Sequence, residues 1–385
     1  MEKLIVKNFG PIKEAEINLT KYVVFIGDTS TGKSVLAKLI TIFRDSFLLL
    51  SLTDSLKIDV RSQLKRYNIN FDTNDSEIKY CDGNEVLCQL VNNEVFLVDV
   101  ELKHNNLNNV KNKLDDLTKE SVLSQFLDFD KETFFKFSIN HFLKNRNSTY
   151  IPAERILFSL VGNSLSGLLA NNVALPECYK DFAAKYEVAR DEIREAKYES
   201  FALNYTYDKG IDEVYINNTK ILLSEASSGI QSLIPLLLVL DYEMKINDGA
   251  FNYSKGIIIE EPELNLFPIR QKKMIDHVIS KMNGIKHKVI ITTHSPYILS
   301  SLDTLMLAKN TFDEHPDLKE EINAIVSEDK WIDYDDISVY EVRNDGKVYS
   351  IKNEEFRSID TNAIDGVSDI ISEEFDKLTE LRYAQ

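Results

Sequence analysis

Gly27-Asp28-Thr29-Ser30-Thr31-Gly32-Lys33-Ser34 has the spacing G-x-x-x-x-G-K-S/T, in which backbone, lysine and hydroxyl each have a task. The glycines let the chain curl so that its N–H groups point inward at phosphate oxygens, helped by the positive end of a following helix. Lys33 then reaches the β- and γ-phosphates of a nucleoside triphosphate, and the Ser34 hydroxyl ligates Mg²⁺. A chance glycine turn would not need a buried strand before it and a helix after it. Tyr22-Val23-Val24-Phe25-Ile26 supplies the strand, and Val35, Leu36, Leu39, Ile40 and Phe43 have the spacing of the helix.

Such a loop needs an acidic partner, and Ile257-Ile258-Ile259-Glu260-Glu261-Pro262-Glu263 provides one. Carboxylates at the end of a buried strand project into the crevice where open α/β sheets bind ligands. Glu260 would hold Mg²⁺ directly or through water, and Glu261 would orient or deprotonate the attacking water. The plain alternative is a solvated acidic turn, which three β-branched apolar residues leading into the acids disfavour. Ile291-Thr292-Thr293-His294-Ser295-Pro296 places a histidine just past another strand. A lone histidine is more often a surface residue; its place in this series favours a role in sensing the γ-phosphate. The stretch Leu223 to Ser232, with Ser227, Ser228 and Gly229, opens a helix about 30 residues before the acidic strand. By itself it reads equally as a serine helix cap and as an anion site.

These residues need a scaffold, and strands alternating with helices supply it. Strand Ile257 to Ile259, a helix from about Pro268 to Met282, a strand at Lys288 to Thr292 and a helix after Pro296 indicate an α/β core with a mostly parallel sheet. Leu4 to Val6 and Ala15 to Leu19 form a small N-terminal antiparallel β layer. A helix from about Ile230 to Met244 is expected to be bent or started late by Pro235. Glu85 to Leu90 and Val95 to Val98 read as a hairpin, Phe134 to Tyr150 is aromatic without a clear pattern, and Tyr179 to Glu199 is helical and highly charged. The organisation is residues 1–44 as the N-terminal part of the core, 45–200 as an inserted mixed and helical lobe, 201–310 as the C-terminal part of the core, and 311–385 as a tail subdomain.

Composition bounds the partners. With 45 Lys and Arg against 62 Asp and Glu, the formal charge of the 385 residues is −17. This charge argues against loose coating of nucleic acid or an anionic membrane and leaves room for a local basic groove. Cys81, Cys88 and Cys178 lack zinc or disulfide spacing, and the charged start is no signal peptide; the expected location is cytoplasmic. Ile156 to Pro176 carries no charge, but its serines and asparagines make it too polar for a membrane span.

The order of P-loop, serine-glycine helix start, acid-ended strand and histidine resembles the ATP-binding-cassette type of ATPase head. It is similar in more detail to the SMC/RecF-like ATPases and their OLD-like group of prokaryotic genome-maintenance and phage-defence proteins. Val6-Lys7-Asn8-Phe9-Gly10-Pro11-Ile12, Tyr150-Ile151-Pro152-Ala153-Glu154-Arg155, Glu260-Glu261-Pro262-Glu263 and Thr293-His294-Ser295-Pro296 carry the resemblance. It covers residues 1–44 and 200–310 well and the remainder loosely. It implies ATP and Mg²⁺ as ligands and a homodimer with nucleotide sandwiched between subunits. In that arrangement Ser227, Ser228 and Gly229 of one subunit contact the γ-phosphate held by Gly27 to Ser34 of the other. Two positions depart from the pattern. The usual L-S-G-G-Q reads Ser227-Ser228-Gly229-Ile230-Gln231, and the usual metal-binding aspartate is Glu260. The coupling glutamine of cassette ATPases has no assigned position.

The resulting expectation is an ATP-hydrolysing switch that controls a separately encoded effector, a nuclease or toxin, in anti-phage defence. The effector docks on the 45–200 lobe or the tail, and assembly beyond a dimer stays open. OLD nucleases carry a metal-nuclease domain after the ATPase; here 385 − 294 = 91 residues follow His294, and Asp333, Asp335 and Asp336 read as a solvated loop. The alternative is a RecF-like ATPase that clamps DNA, with Arg61, Lys65, Arg66, Lys111 and Lys113 as modest basic clusters. A small-molecule P-loop kinase is weakened by the signature helix and His294.

Overall fold

A computed structural model of the chain describes residues 1–52, 57–98, 148–162, 175–217, 219–245, 254–360 and 362–383. Lys111, Lys113, most of the aromatic segment Phe134 to Tyr150, and residues 163–174 of the uncharged stretch lie outside them.

The central sheet has the order β16-β15-β3-β14-β13-β8. Its strands are β3 (Tyr22–Ile26), β8 (Thr149–Ile151), β13 (Gly256–Glu260), β14 (Lys288–Thr293), β15 (Ile337–Val342) and β16 (Val348–Ser350). All neighbours pair in parallel except β16, which is antiparallel to β15 at one edge. The expected α/β fold with a mostly parallel sheet is present. The sheet takes strands from all four expected segments, since β8 lies within 45–200 and β15 and β16 within 311–385.

Apolar runs fit this sheet because both faces are covered. Val24, Ile257, Ile259, Val289 and Ile291 pack with Leu233, Leu237, Met274, Val278, Ile298 and Leu302 on one side. Val23, Phe25, Ile258 and Ile290 face the other side, with Leu36, Leu39 and Phe43. The helices that close these faces are α1 (Lys33–Leu52) on the second, and α5 (Ser228–Lys245), α6 (Pro268–Met282) and α7 (Pro296–Glu314) on the first. Between α1 and α5 come α2 (Val60–Arg66), α3 (Ile156–Leu160) and α4 (Glu177–Ile193).

The N-terminal antiparallel layer is larger than expected. It joins β1 (Glu2–Phe9) and β2 (Ile12–Asn18) to β4 (Lys57–Asp59), β5 (Glu77–Asp82), β6 (Glu85–Val91) and β7 (Glu94–Leu97), in the order β2-β1-β5-β6-β7-β4. The anticipated hairpin is β6–β7. A third sheet, antiparallel, orders β9 (Glu195–Tyr198), β10 (Leu203–Asp208), β11 (Ile211–Ile216) and β12 (Thr219–Leu222) as β12-β11-β10-β9. The chain closes with α8 (Lys319–Ile325), the short pair β17 (Lys352–Asn353) and β18 (Ser358–Ile359), and α9 (Asn362–Tyr383). Among the described residues no helix is long and apolar enough to cross a membrane.

Pro235 does not delay α5, which starts at Ser228 and continues through it. Proline removes the N–H that would bond the carbonyl four residues earlier. Here the freed carbonyl, that of Gln231, accepts the Ser159 hydroxyl at 2.6 Å. Neighbouring Ser232 O accepts Arg155 Nε at 3.0 Å. The segment after β8 thus satisfies the turn that the proline opens.

Candidate functional site

The carboxyl ends of the central strands share one edge. Glu260 ends β13 opposite Thr292, and Thr293 ends β14 opposite Ile26, the last residue of β3. The P-loop, both acids and His294 are therefore delivered to one crevice by register alone.

Gly27 takes φ +154° and Gly32 φ +107°, and a Cβ on Gly27 would lie 2.2 Å from Val342 O. The loop can therefore turn against β15 only with glycine there. Asp28 Oδ1 accepts the Thr29 amide at 2.7 Å, and the Thr31 hydroxyl donates to Asp28 O at 2.9 Å. Asn344, in the turn after β15, hydrogen-bonds the Asp28 side chain. Ser30 completes the curl at φ +63°. Lys33 is buried and donates Nζ to Gly27 O at 3.0 Å and Asp28 O at 2.7 Å. Burial holds its pKa below the ordinary lysine value, opposed by Glu261, Asp28 and Glu263.

Lys33 Nζ also lies 3.5 Å from His294 Nδ1, and His294 Nε2 lies 3.4 Å from Glu261 Oε1. An ammonium can only donate, so in this contact Nδ1 is on the accepting side, and Nε2 faces Glu261. Glu261 sits at φ +42°, a conformation that a non-glycine residue adopts at a cost. Its amide donates to Thr292 O at 2.9 Å, which keeps the turn against β14.

Glu260 is buried, and its two oxygens have unlike surroundings. Oε2 accepts the Tyr150 hydroxyl at 2.5 Å, whereas Oε1 is buried without a hydrogen-bond partner, with Lys38 Nζ 3.7 Å away. Lys38 stands four residues, about one helical turn, beyond Ser34 on α1. A buried carboxylate oxygen without a hydrogen bond, beside a lysine one turn beyond Ser34, leaves an oxygen that fits a hard divalent cation. The N–H cradle and Lys33 fit phosphates.

Two residues without a role in the sequence reading hold this arrangement. Arg155 is buried and donates to Glu260 O (2.9 Å), Glu261 O (3.0 Å), Pro262 O (3.3 Å), Pro152 O (3.0 Å) and Ser232 O (3.0 Å). Burial pulls its pKa down to about 10, against four nearby glutamates, so it stays charged at neutral pH. Glu263 Oε1 accepts the Thr293 hydroxyl at 2.7 Å and the His294 amide at 2.8 Å, which fixes the histidine turn to the acid turn.

Ser227, Ser228 and Gly229 are not brought into the crevice by their own chain. Both serines are exposed at the opening of α5, and a Cβ on Gly229 would lie 2.7 Å from Asn265 O, so the helix start abuts the turn after the acids. Of the basic candidates, Arg66 is engaged by Asp181 at 2.6 Å. Asp333 caps the turn Tyr334–Asp336 by accepting the Asp335 amide at 2.9 Å.

Residues 163–299 match the family model described as an AAA ATPase domain. The matched stretch contains Ser227 to Gly229, Glu260, Glu261 and His294; the P-loop precedes it. The chain is similar to an SMC head bound to the C-winged-helix domain of ScpA, with 11% identity and TM-score 0.39 over 92% of this chain and 98% of that one. It is similar to the SMC head domain from Thermotoga maritima, with 13% identity and TM-score 0.35 over 78% and 90% of the two chains. A third is an SMC head with an extended coiled coil bound to the C-terminal domain of ScpA from Pyrococcus furiosus, with 11% identity and TM-score 0.35 over 99% and 100%. None of the curated proteins matches the chain.

Proposed function

We propose that the crevice binds ATP with Mg²⁺ and hydrolyses it, and that the protein is a nucleotide-driven switch. The observation that carries this reading is the convergence of Lys33, Glu260, Glu261 and His294 on one sheet edge, within a chain of contacts from Lys33 through His294 to Glu261. Lys33 exchanges its hold on Gly27 O and Asp28 O for phosphate oxygens. Ser34 and Glu260 Oε1 would hold the cation, which would neutralise charge on the phosphates. Glu261 accepts a proton from the attacking water, and His294, held by Glu263, orients that water. The P-loop backbone amides and Lys33 stabilise the charge that builds on the transferred phosphoryl group.

The switch closes as a homodimer. Exposed Ser227 and Ser228 support this, together with exposed Phe267, Ile269 and Tyr297 at the starts of α6 and α7 beside the acid and histidine turns. These groups leave apolar and hydroxyl surface at the rim of the crevice for a second copy to cover. A separately encoded effector, a nuclease or toxin acting in phage defence, is the target of the switch in this reading. Exposed Ile371, Phe375, Leu378 and Leu381 on α9 support a protein partner at the tail. The test is phosphate release from ATP. The unaltered chain should turn over with Mg²⁺, and Glu261→Gln should lower turnover at least a hundredfold. Equal turnover in both would overturn the assignment of Glu261.

A further inference from the structure

The carboxylate of Glu260 has one oxygen hydrogen-bonded and one without a hydrogen bond, 3.7 Å from Lys38 Nζ. The bonded one is held by Tyr150, the first residue of the Tyr150-to-Arg155 segment. Tyr150, in the middle of β8, donates its hydroxyl to Oε2 at 2.5 Å. Oε1 keeps no hydrogen-bond partner. The tyrosine has little room to move. Its ring meets Tyr67 edge-on at 5.8 Å and Tyr179 at 6.5 Å, and the Lys38 ammonium lies 5.3 Å from the ring centre. Tyr179 is anchored in turn by donating to Glu154 Oε2 at 2.6 Å. β8 itself is pinned beside β13 by parallel pairing, with Tyr150 level with Ile258.

A carboxylate is free to rotate about its last bond, so two equivalent oxygens compete for one ligand position. A phenol that donates a short hydrogen bond to one of them removes that freedom and lowers the cost of burying it. A phenol has one O–H to donate, and that of Tyr150 is spent on Oε2.

We propose that Tyr150 is a positioning residue that sets the rotation of the Glu260 carboxylate, engaging Oε2 so that Oε1 is presented to the divalent cation. The proposal rests on the ATP and Mg²⁺ reading of the crevice. It also makes the metal ligand sensitive to the turn after α2, which carries Tyr67, and to α4, which carries Tyr179, because those rings wall the tyrosine in.

The experiment uses the full chain, a non-hydrolysable ATP analogue and Mn²⁺ as the spectroscopic cation, with free Mn²⁺ read by electron paramagnetic resonance. Tyr150→Phe should weaken Mn²⁺ binding about tenfold or more, the usual effect of removing a residue that orients a metal ligand. Its affinity for the analogue without metal should stay unchanged, and Tyr383→Phe, at an exposed position on α9, should bind Mn²⁺ like the unaltered chain. If circular dichroism shows that Tyr150→Phe does not fold, Tyr150→Leu, which also has no donor to give Glu260, carries the same expectation. Normal Mn²⁺ affinity in the Tyr150 variant, with weak binding in Glu260→Gln, would overturn the positioning role alone. Normal affinity in Glu260→Gln as well would overturn the metal reading of the crevice.

Discussion

Arg155→Lys keeps a positive charge and removes the guanidinium fork, so it isolates the geometry of the clamp. Five carbonyls accept from Arg155, at 2.9 to 3.3 Å. An ammonium has three donors, so 5 − 3 leaves two carbonyls without theirs. Hydrogen bonds from a charged donor are worth about 1.5–3 kcal/mol each, which puts the loss at about 3–6 kcal/mol. The 3.3 Å contact to Pro262 O is the weakest and would be given up first, so the lower end, about 3 kcal/mol, is expected. A domain with roughly 5–15 kcal/mol of stability survives that loss and can be assayed. Urea unfolding followed by circular dichroism would read the stability, and phosphate release the turnover. Glu261 O and Ser232 O share this one anchor, so turnover should also fall more than about tenfold, equivalent to 1.4 kcal/mol in the barrier. A stability change below about 1 kcal/mol together with unaltered turnover would refute the clamp.

Other changes test separate parts of the structure. Gly229→Ala should cost about 1–3 kcal/mol by forcing α5 away from Asn265 O, read as a lower melting temperature; an unchanged melting temperature would contradict the close approach. Glu243 is buried where Thr149 and Lys185 donate to Oε1, at 2.7 and 2.8 Å, and Lys255 donates to Oε2. Burial raises its pKa, but Lys185 and Lys255 overcome that and hold it at about 2, below the ordinary 4.5. A depressed folded-state pKa adds stability that is fully present above 4.5 and lost as pH falls towards 2. Glu243→Gln should therefore cost about 3–5 kcal/mol at pH 7 and flatten the loss of stability between pH 4.5 and 2 in acid titrations.

Much of the crevice was legible because local patterns agree with the tertiary structure. The runs ending at Ile26, Glu260 and Thr293 are buried on both faces, so apolar continuity and punctuation locate them without knowledge of the sheet order. β8 and β15 were missed as core strands for the opposite reason. β8 has three residues, and β15 pairs with β3 across more than 300 positions, so neither pairing leaves a local mark. Arg155 escaped a role because arginine is mostly exposed, and nothing short of the folded turn shows five carbonyls converging on it. Glu263 could have been suspected: a third acid after Glu260-Glu261-Pro262 has no reason to be solvated when a strand end and a histidine turn lie beside it. Pro235 misled because its effect depends on a distant partner, the Ser159 hydroxyl that occupies the freed carbonyl.

The central claim is a switch in which ATP, held between two copies, keeps them together until Glu261 promotes hydrolysis. Light scattering of Glu261→Gln with ATP and Mg²⁺ measures that directly. A stable dimer that returns to monomer when Mg²⁺ is chelated is the predicted result, and a monomer with ATP and Mg²⁺ both present would contradict the claim.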